Sequence, residues 1–382
     1  MLDKPHPQRR IWFIGPFPPP LHGQAGYNVA MAAHLREMGD VRIIDTGSIS
    51  WRKVAVYLGA AWTMLTQSRR GDVVYTSAPG QGALWLFGIV VLALRCRGLP
   101  FFVHHHSYRP IHAGPTAAMR FVIALGGQGQ RHILLSEHMR RAFVDLYLDG
   151  DVHRALALSN AFLFYEAEKP TDRPDRPLTL GHMSVLASEK GVDVVLAVFE
   201  NLMKAGADVR LLLAGPVRDS RLTAPIAAVA ARYPQHFEVL GRVDGDAKRQ
   251  FYNDIDLFLL PSRLLDEAEP LVLFEAYAAG VDVMATERGC IPERLIASDR
   301  ILTGDSSVDT ASVSSVATGL ASDWSASRSS CRDHATRMHA SACQEAQSLF
   351  MAMGLEPTRR PATRAERLAV CAEKRHLQDS AS

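Results

Sequence analysis

The sequence predicts an α/β protein built from two doubly wound domains, each a parallel sheet covered by helices. Three observations predict it. Strand-like and helix-like segments alternate along most of the chain. Glycine and proline cluster where the strand-like runs end, as expected of loops that carry ligands in open α/β sheets. Proline and charge interrupt the alternation at Glu166–Pro177, which reads as an interdomain linker. A length of 382 residues also exceeds what one hydrophobic core usually supports.

In order, Ile11–Ile14 is a short apolar strand ending in Gly15, and His22-Gly23-Gln24-Ala25-Gly26 opens a helix through about Glu37. Val41–Ile44, Val73–Tyr75, Phe101–Val103, Ile133–Leu135 and Ala155–Leu158 are further strands of a first domain spanning residues 1–165. After the linker at 166–177, a second domain at 178–340 repeats the scheme. Leu178–Gly181, Val209–Ala214, Phe237–Leu240 and Leu257–Leu260 are its strands; Gly191–Met203 and Leu222–Tyr233 are helical. Past about Ser306 the pattern weakens into a Ser/Ala-rich region. Residues Leu355–Ser382 hold little apolar area and read as a mobile tail.

Composition excludes several classes. Hydrophobic residues at 47% and charged residues at 21% describe an ordinary globular chain. Five scattered cysteines, without ligand spacing, argue against a disulfide framework or a zinc site and favour a reducing, cytoplasmic setting. The N-terminal stretch lacks a signal-peptide core, and no run reaches the roughly 20 apolar residues that cross a bilayer. A net charge of +2 gives no nucleic-acid footprint. The charge is unevenly spread: residues 1–165 hold 17 Lys/Arg against 9 Asp/Glu, a balance of +8 that leaves −6 for the remainder. A basic first half suits a phosphorylated or membrane-bound acceptor on that side.

The densest signal is Pro261–Glu293, PSRLLDEAEPLVLFEAYAAGVDVMATERGCIPE. Pro270 suits the first turn of a helix and Gly280 its stop. Glu267 then lies in the loop before the helix, and Glu275 about one and a half turns inside it. The amino end of a helix seats phosphate, whereas carboxylates beside it suit sugar hydroxyls. Glutamate spacing alone also fits an amphipathic helix with two surface acids. The whole segment, however, resembles the E-x7-E signature of retaining GT-B glycosyltransferases of the group 1, or family 4, type. It keeps Pro261, Ser262, Glu267, Glu275, Ala276, Ala279, Gly280, Gly289 and Glu293, and departs at Ala268-Glu269-Pro270, where that family has Gly-Phe-Gly.

The resemblance extends over residues 11–305. It implies two Rossmann-like domains facing a cleft, with a helix crossing back to the first domain, for which Ser341–Met353 is the candidate. It implies a nucleoside-diphosphate sugar as co-substrate, with no metal or other cofactor. Gly181–Gly191 resembles the family's strand-to-helix loop ending in Lys-Gly. Lys190 would stabilise the diphosphate, Glu267 would hold a sugar hydroxyl and Glu275 the ribose, with Leu271 and Val272 at the helix start. Ser184 stands where many members carry arginine; Arg242 or Arg263 could supply that charge. The alternative for Lys190 is a lysine lying along a helix start. Gly23 resembles the family's first loop, where a side chain would block the donor or acceptor, although it also suits a plain strand-to-helix turn.

His104-His105-His106 ends a strand where the family has a histidine near the sugar. Strand alternation puts His104 and His106 on one face and His105 on the other, so three imidazoles do not converge on a metal. Either His105 or His106 could be the residue at the site. Cys290 reads as a small buried residue, and Ser136 and Asn160 as turn caps. The implied activity is sugar transfer to a saccharide or lipid-linked hydroxyl, as in polysaccharide synthesis. A sugar-nucleotide epimerase and a non-catalytic sugar-nucleotide-binding subunit are the alternatives. Val54–Leu65, between Arg52-Lys53 and Arg69-Arg70, has the composition of either a helix in peripheral contact with a membrane or a buried crossover helix. Gly82–Leu94 reads as buried.

Overall fold

The computed structural model describes residues 9–18, 23–47, 52–164 and 176–356. The chain divides into two compact units, the described residues of Met1–Leu163 with Ala342–Ser382, and of Phe164–Ser341. Most of the expected linker and of the expected tail lies outside the described residues.

The first unit runs β1 (Arg10–Gly15), α1 (Gly23–Arg36), β2 (Asp40–Asp45), α2 (Lys53–Gln67), β3 (Val73–Ser77), α3 (Gln81–Cys96) and β4 (Phe101–His104). It continues with α4 (Arg109–His112), α5 (Ala117–Gly126), β5 (Gln130–Leu134), α6 (Glu137–Tyr147), β6 (Ala155–Ala157) and α7 (Ala161–Phe164), whose last residue opens the second unit. Its six strands lie in the order β2-β1-β3-β4-β5-β6, all pairs parallel. The central strands β3 and β4 are buried along their whole length, which is why they read as unbroken apolar runs. The order reverses at β1, so the crevice for a ligand lies at the carboxyl ends of β1 and β3. There Gln24 of α1 donates to Ser77 Oγ at 2.8 Å and to the Ala78 carbonyl at 2.9 Å. Ser136 caps α6 by accepting from the Met139 amide at 3.1 Å.

The second unit runs β7 (Leu178–Met183), α8 (Val192–Lys204), β8 (Val209–Ala214), α9 (Thr223–Arg232), β9 (Phe237–Gly241), α10 (Gly245–Asp254) and β10 (Leu257–Leu260). Then come α11 (Leu271–Ala278), β11 (Asp282–Thr286), β12 (Ile301–Leu302), α12 (Ser306–Ser322) and α13 (Trp324–Ala352). Its parallel sheet has the order β12-β11-β10-β7-β8-β9, with the reversal between β7 and β10. That switch point brings the loops after Met183 and after Leu260 to one edge of the sheet.

The Ser/Ala-rich region, where the alternating pattern weakens, forms two helices, α12 and α13, that meet at Asp323. Asp305 caps α12 by accepting from the Ser307 amide at 2.8 Å, and α12 buries Val313, Val316 and Leu320. The helix expected at Ser341–Met353 begins instead at Trp324, and the division between the units falls within it. Its buried stripe is made of Cys331, Ala335, Ala342 and Ala346 before Leu349 and Phe350, too small in volume to show as a hydrophobic period. A correction concerns Gly82–Leu94. α3 buries Leu84, Phe87, Val90, Val91 and Leu94 but leaves Trp85 and Leu92 exposed.

Candidate functional site

At the switch point of the second unit, the buried strand β10 delivers the chain into Pro261–Pro270. Ser262 is fully buried; its carbonyl accepts from the Thr286 hydroxyl at 2.5 Å, and its own hydroxyl donates to Glu267 Oε2 at 2.9 Å. The same Glu267 oxygen accepts from Lys190 Nζ at 2.6 Å. Lys190 comes from the loop after β7, so the two residues meet across the reversal in strand order. The loops are also tied by backbone, the Arg263 amide donating to the Glu189 carbonyl at 2.8 Å.

Two glycines set this geometry. Gly191 has φ of 74°, and a Cβ added there would sit 2.0 Å from the Pro261 carbonyl oxygen. Gly289 has φ of 53°, and its Cβ would lie 2.3 Å from the Glu267 carbonyl oxygen. Beside it, the Cys290 amide donates to the Ala268 carbonyl at 2.7 Å, and the Cys290 side chain is fully buried, as read from the sequence. Gly191→Ala is therefore expected to destabilise the second unit by about 2–3 kcal/mol or more, adding left-handed strain to a backbone clash. Chemical denaturation followed on the second unit checks this.

The departures at 268–270 have structural roles. Ala268 is buried under the Gly289 turn. Glu269 is buried and accepts from Arg294 Nε at 2.5 Å, an ion pair that no local spacing signals. Pro270, expected in the first turn of the helix, is instead its N-cap, and no side chain caps α11. Glu275, inside α11, accepts from Lys248 Nζ at 2.5 Å and from the Tyr252 hydroxyl at 3.0 Å. Lys248 and Tyr252 stand one turn apart on α10, so a single face of that helix fixes the carboxylate. The sequence reading missed both.

Ser184 has a specific partner. His182 Nδ1 lies 2.8 Å from the Leu259 carbonyl, an acceptor, so it carries the proton, and burial holds the ring neutral with its pKa lowered to about 4. His182 Nε2 then accepts from the Ser184 hydroxyl at 2.8 Å. An arginine here would lose that bond. Arg263 pairs with Asp193 at 2.5 Å and Arg242 with Asp244 at 3.3 Å, both on the exposed surface. Lys190 is the cation placed against Glu267.

In the first unit, Gly23 opens α1, and a Cβ there would meet nothing within 4 Å. Packing does not demand glycine at this point, and the space above it is open. His104 bonds the Tyr75 hydroxyl through Nδ1, and its ring lies 4.2 Å from that of His106, which also touches Tyr27 at 4.6 Å. His105 turns the other way, its Nε2 2.9 Å from His132 Nδ1 and its ring against Phe143. The alternation of faces is as the strand pattern requires. His105 is buried, whereas His106 keeps partial exposure. Burial lowers the pKa of each to about 3.

Two parallel six-stranded sheets with flanking helices are the fold of GT-B glycosyltransferases, and solved structures of that class superpose on nearly the whole chain. Anabaena HepE in complex with UDP aligns with a TM-score of 0.66 at 14% identity, covering 91% of this chain and 99% of that one. A glycosyltransferase from Rickettsia africae gives 0.69 at 13% identity, covering 91% and 99%. Residues 165–322, most of the second unit, match the family model of glycosyl transferases group 1. Over 99 residues, 26% of this chain and 19% of its relative, the sequence is 37% identical to a glycogen synthase of Halorhodospira halophila. It is 23% identical over 303 residues to the sulfoquinovosyl transferase SQD2 of Arabidopsis thaliana, covering 68% of this chain and 56% of that one. The chain thus spans less than two thirds of the length of these curated relatives.

Proposed function

We propose that the protein is a retaining glycosyltransferase that moves a sugar from a nucleoside-diphosphate donor to a hydroxyl of a saccharide or lipid-linked acceptor in the cytoplasm. The observation that carries this is Glu267, held by Lys190 and Ser262 on the loop that leads into the uncapped amino end of α11. A diphosphate at that helix end would meet backbone amides and Lys190 Nζ. Glu267 would accept from a sugar hydroxyl, and Glu275, already oriented by Lys248 and Tyr252, from the ribose. Solved relatives support a uridine nucleotide as the first donor class to try, since HepE has been crystallised with UDP and with UDP-glucose.

The placement of the acids supports retention. A glycosidase that works through a covalent intermediate sets two carboxyls either side of the bond it breaks. Here both glutamates flank one helix end, which favours displacement on the face of the departing phosphate. Lys190 and the helix end would carry the charge on the leaving group without a metal. On the first unit, Gly23 and His106 are the candidates for contact with an acceptor.

The test is donor turnover by the purified chain. Slow hydrolysis of a nucleotide sugar, or transfer to an added acceptor, is expected. Glu275→Ala is expected to raise the donor KM by about 10–100-fold through the lost ribose bonds. Conversion of the donor to its epimer would make the chain an epimerase. A thermal shift with UDP or GDP, without turnover on any acceptor, would make it a binding subunit.

A further inference from the structure

The outer faces of α2, α3 and α5 form a layer with an unusual surface. Val54, Leu58, Trp62 and Leu65 recur at helical spacing along α2 and are 47%, 50%, 68% and 41% exposed. Trp85 and Leu92 stand two turns apart on α3, which packs against α2 on one side and α5 on the other. The Trp85 ring meets that of Phe121 on α5, centroids 5.1 Å apart, and Phe121 is itself exposed. These seven account for most of the large exposed hydrophobics among the described residues of the first unit; the others are Val152 and Met351. Scattered apolar residues on a surface need no explanation, but a run of them across three adjacent helices does.

The charge around this layer has one sign. Residues 46–136 contain nine Lys/Arg and a single acidic residue, Asp72, which is buried. Its carboxylate is occupied inside the unit, accepting from the Trp12 indole at 2.8 Å and from the Arg69 amide at 2.9 Å. The exposed cations stand at the ends of the three helices: Arg52, Arg69 and Arg70 beside α2, Arg95 and Arg97 at the end of α3, and Arg120 in the first turn of α5. Aromatic and aliphatic side chains therefore project from the middle of the layer and guanidinium groups from its edges.

We propose that this three-helix face docks on the surface of an anionic lipid bilayer. Apolar side chains with two tryptophans would enter the boundary between headgroups and acyl chains, while the surrounding arginines meet lipid phosphates. Among the described residues no helix is long and apolar enough to cross a membrane, so the contact is peripheral. A second copy of this chain is the other occupant to consider. Its matching face would bring the same arginine edges together, opposing like charges that an anionic surface neutralises. No residue of this layer belongs to the donor site, so membrane docking and donor chemistry are separable.

The experiment is co-sedimentation of the full chain with vesicles of phosphatidylcholine mixed with phosphatidylglycerol, beside phosphatidylcholine alone. Binding to the anionic vesicles, weakened by salt and accompanied by a blue shift of tryptophan emission, is expected. Trp62→Glu is expected to lower that binding by about tenfold or more while leaving the melting temperature near that of the parent chain, since the side chain is exposed. Leu58→Glu serves as a second probe on the same stripe. No binding to anionic vesicles, or binding unaltered in both variants, would overturn the proposal. A concentration-dependent dimer in sedimentation, abolished by Trp62→Glu and without vesicle binding, would assign the face to a second copy and overturn it as well.

Discussion

Lys190→Met is expected to lower turnover of a nucleotide-sugar donor by about 10²–10³-fold, the usual cost of removing one group that stabilises developing charge. Lys190 Nζ is held 2.6 Å from Glu267 Oε2 by loops that Gly191 and Gly289 keep in contact, so it is positioned before any donor arrives. Met preserves the length of the stem and removes the ammonium, with its charge and its hydrogen bond to Glu267. The Glu267 side chain, 10% exposed, would keep just the Ser262 hydroxyl as a partner, and stability is expected to drop by about 1–3 kcal/mol. That drop could by itself mimic a loss of activity. The double variant Lys190→Met, Glu267→Gln separates the two causes: neutralising both partners is expected to recover most of the stability and none of the turnover. Steady-state kinetics beside chemical denaturation makes the comparison. Turnover in Lys190→Met within a few-fold of the parent chain would remove Lys190 from the reaction.

Much of this site is legible in the sequence because it depends on backbone that only certain residues permit. Strands β8 and β10 have the bounds read from their apolar runs, since glycine, proline or aspartate stands at each end. Lys190, Gly191, Glu267 and Gly289 come together as the motif implies, because φ above zero and a close carbonyl leave glycine as the unstrained choice. What was not legible depends on distance along the chain. Lys248 and Glu275 are 27 residues apart, and Glu269 and Arg294 are 25 apart, with nothing in local spacing to pair them. α10 hides its role further, since only Phe251 and Tyr252 of its ten residues are buried and the rest give no apolar period. α13 was obscured for the opposite reason: its core face is alanine and cysteine, which pack closely without standing out from a Ser/Ala-rich background. Ser184 looked like a lost charge in sequence and is a partner of His182 in the fold.

The first unit is expected to lose stability steeply as pH falls below neutrality, well before its carboxylates are protonated. His104, His105, His106 and His132 are packed around β4 and β5, and burial lowers the pKa of all four, to about 3 for His105 and His106. In the unfolded chain each returns to about 6.5. Below that value the unfolded state binds protons that the folded state refuses, so the stabilisation is complete above about pH 6.5 and is lost as pH descends toward the folded values. Each histidine contributes about 1.4 kcal/mol per pH unit in this window. Four of them between pH 7 and 5.5 would remove about 5 kcal/mol, as much as the whole stability of a marginal domain. In the second unit burial lowers the pKa of His182, to about 4, and of His334, two groups against four, so its acid sensitivity is expected to be weaker. Hydrogen exchange resolved on β4 and β5, compared with β7 and β10, reads the two units separately at each pH. The double variant His105→Gln, His132→Gln removes two of the four groups and is expected to halve the slope for the first unit whatever it does to stability at pH 7. A first unit equally protected at pH 7 and 5.5 would mean that these imidazoles take up protons inside the fold, and the neutral cluster at the end of β4 would have to be abandoned.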